Sequence, residues 1–243
     1  MKTTVVIPAR LGSTRLPRKM LADLGGRPVL WHTWTQVKKM VRADEILILT
    51  DADEIYDAAK SWGASVLMTS AMCSCGTERA FSVLNELQGD FILLVQGDEP
   101  FIDPQLPDLI VTEGERVSCD IITPIFPLKK LEEIQNPNIV KVVRQKSGEA
   151  LYFSRSAIPY IRGTDPEKWV ESHTFFGHLG IYGYQRSFLE KYGTILSSSL
   201  EKAESLEQLR FLEAGYTIQT ILVNHRSIAI DTPQDLQNAR ELL

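Results

Sequence analysis

Short apolar runs alternate with amphipathic segments from residue 3 to residue 96, and this alternation most limits the folds open to the chain. Strands are predicted at 3–7, 45–50, 65–68 and 91–96, separated by helices at 28–41, 53–62 and 77–87. A β-α-β order of this kind predicts a parallel sheet with crossover helices. Pro8 is expected to end the first strand, because proline has no N–H to donate.

A basic loop follows the first predicted strand and carries Arg10, Arg15, Arg18 and Lys19. Four cations on one short loop repel each other unless an anion joins them. Since ligands of such sheets bind at the carboxyl ends of the strands, the loop predicts a polyphosphate site, with a solvated basic loop as the alternative. No Walker or dinucleotide glycine motif is present, so side-chain cations are expected to hold the nucleotide as much as backbone amides.

Two acidic residues stand at predicted strand ends. Asp98 follows the most apolar strand through Gly97 and should share a crevice with the basic loop. A carboxylate beside phosphates is a typical ligand of a divalent metal, although Asp98 could instead cap the next helix. Asp231 could be a helix cap beside Thr232, or it could complete a magnesium site with Asp98.

The second half of the chain has a different pattern. Segments 139–144 and 149–153 predict a β-hairpin around Lys146-Ser147-Gly148, within a substrate-recognition and dimerisation insert at about 127–200. The exposed edge of this hairpin is the expected subunit contact. The remaining predicted strands are 120–126, 178–184, 217–223 and 227–230, and the remaining helices are 104–114, 186–192, 202–214 and 233–242. The whole chain is predicted to be a single α/β domain.

Several residues of this half could bind a substrate. Arg155 follows an aromatic strand and could clamp a carboxylate, or it could form a surface ion pair. His178 and Tyr182 should share a strand face, with core packing as the alternative. Glu207 and Gln208 share a predicted helix face with Glu204, for which a solvated face is the default.

Composition limits the class of protein. The chain has 243 residues, 44% of them hydrophobic and 23% charged, as in ordinary globular proteins. The net charge of −5 argues against general binding to nucleic acids or anionic membranes. We find neither a transmembrane run nor a signal peptide, and the three cysteines do not suggest a disulfide framework. A cytoplasmic protein is therefore expected. A basic loop, a metal-binding acid and a substrate insert favour nucleotidyl transfer.

Six motifs, in order along nearly the whole chain, resemble those of the 3-deoxy-manno-octulosonate (Kdo) cytidylyltransferase family. The motifs are Ile7-Pro8-Ala9-Arg10 with Ser13 to Lys19, Gln96 to Pro100, Ala150 to Pro159, His178 to Tyr182, Leu206 to Arg210, and Asp231-Thr232-Pro233.

The resemblance implies transfer of CMP from CTP to the anomeric hydroxyl of Kdo, with Mg²⁺ as cofactor, for lipopolysaccharide biosynthesis. It also implies a cytoplasmic homodimer with an α/β fold like that of other sugar nucleotidyltransferases. By the same resemblance, Arg10, Arg15 and Lys19 bind the triphosphate, Gln96 lies near the cytosine or ribose, Asp98 and Asp231 bind the metal, and Arg155, His178, Tyr182, Glu207 and Gln208 bind Kdo. Lys19, Asp98 and Asp231 would be the catalytic group.

The chain departs from the family pattern at a few positions. Arg18 and Met20 stand where the family usually has Gly and Pro, and Cys73 and Cys75 lie in a stretch usually written H-x-S-G-T-[DE]-R. The second departure lies near the expected base pocket and leaves cytosine selectivity open. Alternatives that remain are activation of an 8-amino sugar or of sialic acid, a nucleotide-binding module without catalysis, and a dinucleotide-dependent oxidoreductase, which the missing glycine motif disfavours.

Overall fold

A computed structural model describes residues 1–224 and 228–243 and shows one large central sheet. The strands are β1 Thr3–Ala9, β2 Asp23–Leu24, β3 Arg27–Pro28, β4 Glu45–Thr50, β5 Ser65–Met68, β6 Phe91–Leu94, β7 Ile121–Pro127, β8 Lys141–Arg144, β9 Ala150–Ser154, β10 Phe176–His178, β11 Tyr182–Gln185 and β12 Ile218–Leu222. In the described residues, ten strands form the sheet in the order β5-β4-β1-β6-β11-β7-β10-β8-β9, with β12 also paired to β7, while β2 and β3 form a small hairpin.

Helices cover the sheet. They are α1 Val29–Val37, α2 Asp53–Ser61, α3 Gly76–Ser82, α4 Gln105–Arg116, α5 Leu131–Gln135, α6 Trp169–Ser172, α7 Arg186–Leu189, α8 Ser199–Glu204, α9 Gln208–Glu213 and α10 Pro233–Arg240. Short 3-10 turns lie at Lys19–Leu21, Leu84–Glu86, Pro166–Lys168 and Tyr192–Thr194. The Thr232 hydroxyl caps α10 by accepting from the Asp235 N–H, as the predicted cap requires.

Strands β5, β4, β1 and β6 are parallel neighbours, as the β-α-β pattern predicts. The predicted end of β1 at Pro8 is wrong, because the strand continues to Ala9. The Val6 carbonyl accepts from the Val95 N–H, and backbone groups two residues apart along a strand face the same neighbour. The nitrogen of Pro8 therefore faces β6. The pairing with β6 has already ended at Val6, so no hydrogen bond of the sheet is lost because proline lacks an N–H.

All antiparallel pairs of the central sheet include a strand from residues 127–200, namely β8, β9, β10 or β11. The predicted α/β class, with a mostly parallel central sheet flanked by helices, is confirmed. The hairpin of β8 and β9 is also confirmed. The insert's role in substrate recognition stays a prediction.

Two predicted elements are each divided in the structure. The predicted strand 178–184 is two strands, β10 and β11, which pair one after the other along the same edge of β7, while β12 pairs with its other edge. The predicted helix 202–214 is two helices, α8 and α9, because Ser205 takes a left-handed φ of 50° between them. Glu204 and Glu207 therefore do not share a helix face. Several other helices are shorter than predicted, and α1 ends at Val37 instead of residue 41.

The side chains of β1 pack alternately into the two core layers on opposite faces of the sheet. Val5 and Ile7 belong to the apolar cluster on one face of the sheet, and Val6 belongs to the cluster on the other. Because both faces are buried, the strand is apolar throughout instead of alternating. The predicted strand 227–230 begins at Ser227, which lies outside the described residues, and 228–230 are not a strand. In the described chain, every helix is too short or too polar to cross a membrane.

Candidate active site

Two adjoining cavities lie beyond the carboxyl ends of the parallel strands. The basic cavity has a volume of about 400 Å³ and is lined by the 9–20 loop together with Arg79, Asp98 and Asp231. The histidine cavity has a volume of about 330 Å³ and is lined mainly by segments 138–140, 178–182 and 206–208. Cys75, Gly76 and Gln96 line both cavities, so a ligand in one can contact a ligand in the other.

The basic loop begins where β1 ends, and it brings Arg10, Arg15 and Lys19 to the basic cavity. The fourth predicted cation, Arg18, does not line this cavity. Arg18 has a left-handed φ of 55° and donates to the Glu54 carboxylate on α2 instead. This backbone conformation suits glycine, the residue that the family pattern usually has there.

Asp98 and Asp231 meet at the ammonium of Lys19. The backbone carbonyl of Asp98 accepts from the Ile230 N–H at 2.9 Å, which brings the two acidic segments together. The Lys19 Nζ donates to Asp98 Oδ2 and, at 2.8 Å, to Asp231 Oδ1. Burial opposes the charge of Lys19, but the attraction of Asp98 and Asp231 outweighs this and raises its pKa above the usual value.

Gly97 allows this close approach at the end of β6. A Cβ atom on Gly97 would lie 2.9 Å from the Pro8 carbonyl oxygen and 3.1 Å from Met20 Sδ. A larger residue would therefore push β6 away from β1 and move Asp98 away from Lys19.

The two carboxylates are a suitable partial ligand set for Mg²⁺. Both present an oxygen to the same point, which the ammonium of Lys19 occupies. Magnesium commonly takes one or two protein carboxylates and completes its shell with substrate phosphates and water. Among residues 1–224 and 228–243, no group of three or more His, Cys, Asp and Glu could hold a metal ion. Any Mg²⁺ here would thus depend on the phosphates of a bound nucleotide.

The segment 73–79 forms the wall between the cavities. The Cys75 Sγ accepts from the Glu78 N–H at 3.3 Å and so caps α3. Burial, followed by the charge of Glu207, raises the pKa of Cys75 to about 12, so it is a protonated thiol at neutral pH. Arg79 is buried and pairs with Asp51 at 3.0 Å, which anchors this wall to the end of β4.

His178 is a neutral side chain in the histidine cavity, because burial lowers its pKa to about 3. The Thr123 hydroxyl has carbonyl acceptors in Leu179 at 3.1 Å and Ile181 at 2.8 Å. The hydroxyl has one hydrogen, and it donates this hydrogen to a carbonyl, because carbonyls cannot donate. The hydroxyl oxygen therefore accepts from the N–H at His178 Nε2, 2.8 Å away. The Nδ1 atom of His178 is then a hydrogen-bond acceptor. The ring of Tyr182 lies against that of His178, with centroids 5.3 Å apart, although the two residues are on different strands.

Glu207 is held in the same cavity by donors from segment 73–79, from Tyr192 and from α9, the helix that begins directly after Glu207. Its Oε1 accepts from Cys75 Sγ at 3.0 Å, Tyr192 Oη at 2.7 Å and Arg210 Nη2 at 2.7 Å. Its Oε2 accepts from the Thr77 hydroxyl at 2.6 Å. The carboxylate therefore has a fixed orientation before any ligand binds.

Gln208 has an unmet hydrogen-bonding requirement. Only 3% of its surface is exposed, and its Nε2 has no hydrogen-bond partner among the described residues. An unpaired buried donor costs about 1–3 kcal/mol. Because Gln208 lines the histidine cavity, a ligand oxygen there would remove this cost.

The structure brings the predicted site residues to these cavities, with Arg155 as the exception. Arg10, Arg15, Lys19, Gln96, Asp98 and Asp231 line the basic cavity, and Gln96, His178, Tyr182, Glu207 and Gln208 line the histidine cavity. Arg155 instead donates to the backbone carbonyls of Glu204 at 2.7 Å and Pro137 at 3.0 Å. The roles of all the predicted site residues in binding and catalysis stay predictions.

Sequence reasoning missed Thr77, Thr123 and Tyr192, which hold Glu207 and His178. Thr77 stands inside the motif at 73–79, so its position was a usable signal. Thr123 and Tyr192 lie in no recognised motif, and no local pattern distinguishes them from ordinary core residues.

Comparison with known proteins shows which proteins the chain as a whole is similar to. The family model described as "Cytidylyltransferase" matches residues 4–221. A 3-deoxy-manno-octulosonate cytidylyltransferase of Parabacteroides distasonis is 41% identical, covering 100% of this chain and 98% of its own. The enzyme of the same name from Bacteroides thetaiotaomicron is 42% identical, with the same coverage.

Solved structures agree. A CMP:2-keto-3-deoxy-manno-octonic acid synthetase in complex with CTP superposes with a TM-score of 0.94 at 34% identity, covering 100% of this chain and 98% of that one. A glucose-1-phosphate thymidylyltransferase-like protein of Bacillus anthracis has a TM-score of 0.67 at 16% identity, covering 99% and 94%, and shows the likeness of fold alone.

Proposed function

This chain belongs to the cytidylyltransferase family, and we propose that it transfers CMP from CTP to the anomeric hydroxyl of Kdo, giving CMP-Kdo and pyrophosphate. This reaction activates Kdo for lipopolysaccharide biosynthesis. The observation that carries the proposal is the pair of cavities that meet at Cys75, Gly76 and Gln96. One cavity is lined by cations suited to a triphosphate, and the other is lined by hydrogen-bonding side chains suited to a sugar acid.

The nucleotide side depends on charge. Arg10, Arg15 and Lys19 line the basic cavity and would neutralise a bound triphosphate. Transfer of a nucleotidyl group needs little covalent chemistry from the protein, so positioning and charge stabilisation make up most of the catalysis. Lys19 is held by Asp98 and Asp231, which fixes its charge in the wall of the basic cavity.

The sugar side depends on hydrogen bonds. Gln208 offers an unpaired buried N–H group, and His178 offers a neutral ring with one acceptor nitrogen. Glu207 is already oriented by four donors, and its Oε2, which accepts only from Thr77, can also accept from a sugar hydroxyl. In our proposal, the anomeric hydroxyl of the bound sugar faces the place where the two cavities meet. There it attacks the α-phosphate of CTP directly.

We propose that Mg²⁺ is the cofactor and that Asp98 and Asp231 hold it together with substrate phosphates. When bound, Mg²⁺ would lower the charge on the α-phosphate and the pKa of the attacking hydroxyl. With the two carboxylates engaged by the metal, the ammonium of Lys19 would be available to bind phosphate oxygens. The converging oxygens of Asp98 and Asp231 support this assignment.

The test is pyrophosphate release from CTP and Mg²⁺, with Kdo, 8-amino-Kdo and N-acetylneuraminate offered separately and with UTP and ATP in place of CTP as controls. We expect release with CTP and Kdo. Release with another acid sugar alone would keep the reaction and change the substrate. Binding of CTP without release from any sugar would reject the proposal in favour of a binding module.

Variants test the metal assignment. We expect Asp98→Asn to lower turnover by about 100-fold or more, since it removes a charged ligand of Mg²⁺. Metal-free CTP binding, measured by calorimetry, should be largely kept. The matched control is Glu132→Gln, which neutralises an exposed acid on α5. Turnover by Asp98→Asn at the level of this control would reject the assignment.

We also propose that the protein is a cytoplasmic homodimer. The edge strand β9 carries Leu151, which is 57% exposed and supports a subunit contact at the predicted hairpin. Light scattering should give a mass of two chains. A monomeric mass for the active enzyme would reject the dimer.

A further inference from the structure

Lys141 is a charged residue buried in the sheet. It lies at the start of β8 with 0% of its surface exposed. Its Nζ donates to the backbone carbonyls of Asn136 at 2.8 Å, Ile139 at 2.6 Å and Arg155 at 2.5 Å. In the described chain it forms no ion pair with a carboxylate at contact distance.

Burial of this ammonium is unfavourable for the fold. Burial, and then the neighbouring charge of Arg155, lower the pKa of Lys141 below its usual value. An apolar residue of similar volume often stabilises a core as well as or better than a buried charge. A lysine at this position therefore suggests a requirement for its three directed hydrogen bonds.

Two of these three bonds shape one wall of the histidine cavity. The turn from Asn136 to Ile139 wraps around the ammonium, and Asn138 and Val140 of this segment line the cavity. The carbonyl of Val140 accepts from the His178 N–H at 2.9 Å, so the same wall also positions His178.

Arg155 extends the connection to the opposite wall. Its own carbonyl accepts from Lys141, while its side chain donates to the carbonyls of Pro137 at 3.0 Å and Glu204 at 2.7 Å. Glu204 precedes the segment 206–208, which lines the other side of the cavity. Lys141 and Arg155 thus join the two sides of the cavity through backbone carbonyls.

We propose that Lys141 is a positioning residue for the sugar substrate, which holds segment 136–140 and His178 at the distance from segment 206–208 that the sugar acid requires. This inference rests on the proposed function, since it names the sugar as the ligand of the histidine cavity. Lys141 contacts no ligand itself and acts through the backbone that it binds.

The variant Lys141→Met has an unbranched side chain one atom shorter than that of lysine, and it removes all three hydrogen bonds. We expect the KM for Kdo to rise on the order of tenfold, while kcat and the KM for CTP stay within about twofold of wild type. An unchanged KM for Kdo, or an equal rise in both KM values, would overturn the proposal.

The matched control is Arg186→Met. Arg186 also donates to three backbone carbonyls, those of Leu84, Leu87 and Gly89, but these residues line neither cavity. We expect this variant to lower the thermal stability without a selective change in the KM for Kdo. A merely structural role for Lys141 would make the two variants behave alike.

If Lys141→Met does not fold, two measurements replace it. Lys141→Gln is assayed by the same KM criterion, and hydrogen exchange is measured for segment 136–141 of the wild type. Kdo should slow exchange in that segment, and unchanged exchange at saturating Kdo would overturn the proposal. Wild-type turnover with Kdo is measured first, so that a failure of the proposed function is separated from a failure of this inference.

Discussion

Thr123→Val tests how the histidine cavity is held together. Thr123 lies in β7 with 0% exposure, and valine keeps its shape while removing the hydroxyl. That hydroxyl is 2.8 Å from His178 Nε2 and 2.8 Å from the Ile181 carbonyl. The hydroxyl therefore holds residues 179–181, which connect β10 and β11, against β7. It also fixes the ring of His178 at the end of β10.

The loss in free energy of unfolding depends on which buried polar groups lose their hydrogen bond to the Thr123 hydroxyl. The Leu179 carbonyl keeps its bond from the Ile181 N–H at 2.8 Å and is not orphaned. The ring N–H of His178 and the carbonyl of Ile181 each lose the Thr123 hydroxyl. At about 1–3 kcal/mol for each of these two unsatisfied buried groups, the free energy of unfolding should fall by about 2–6 kcal/mol.

The assay is equilibrium unfolding in urea, with Thr35→Val as the matched control. The Thr35 hydroxyl oxygen is buried and has no hydrogen-bond partner among the described residues. Replacing it should leave the stability within about 1 kcal/mol of wild type, or raise it. If Thr123→Val lost less than about 0.5 kcal/mol, or if both variants lost the same amount, the assigned role of the hydroxyl would be refuted.

Three further outcomes are expected. Gly183→Ala should destabilise the fold by about 3 kcal/mol in urea unfolding, because its Cβ would lie 2.7 Å from Phe91 Cε1, whereas Gly180→Ala, with nothing within 4 Å, should be neutral. A similar loss in both would contradict this. Arg18→Gly should leave turnover intact. It should raise the free energy of unfolding by up to about 1 kcal/mol, because the φ of 55° at this position strains a residue with a Cβ and does not strain glycine. A clear loss of stability would show that Arg18 is not strained. The Cys75 thiol, with its pKa raised to about 12, should react with iodoacetamide at pH 8 far more slowly in the folded protein than in urea, as peptide mass mapping would show. Equal rates would disprove that shift.

Local patterns explain why much of the nucleotide side was predictable. Strand bounds 45–50 and 65–68 agree with β4 and β5, because short apolar runs beside turn residues permit few other structures. Parallel strands place their carboxyl ends at one edge of a sheet. Arg10, Lys19 and Asp98 could therefore be assigned to one crevice before any contact was known.

The sugar side was predictable only through family motifs. The helix-face argument for Glu204 and Glu207 is wrong, because Ser205 breaks the helix between them. His178 and Tyr182 do meet, but from two successive strands on one edge of β7 instead of from one strand face. Arg155 was named as a substrate ligand, yet its side chain contacts backbone carbonyls, which no local pattern indicates.

The sequence by itself determined the α/β class, the basic loop after β1 and the position of Asp98 beyond the end of β6. Each of these depends on periodicity and residue type within a short stretch. Only the tertiary structure decided which groups hold Glu207 and which carbonyls surround Lys141. Thr77 and Glu207, for example, are 130 residues apart in the chain and meet only because their elements pack together. The energy of such a contact depends on a distant partner and its burial, which a local pattern does not contain.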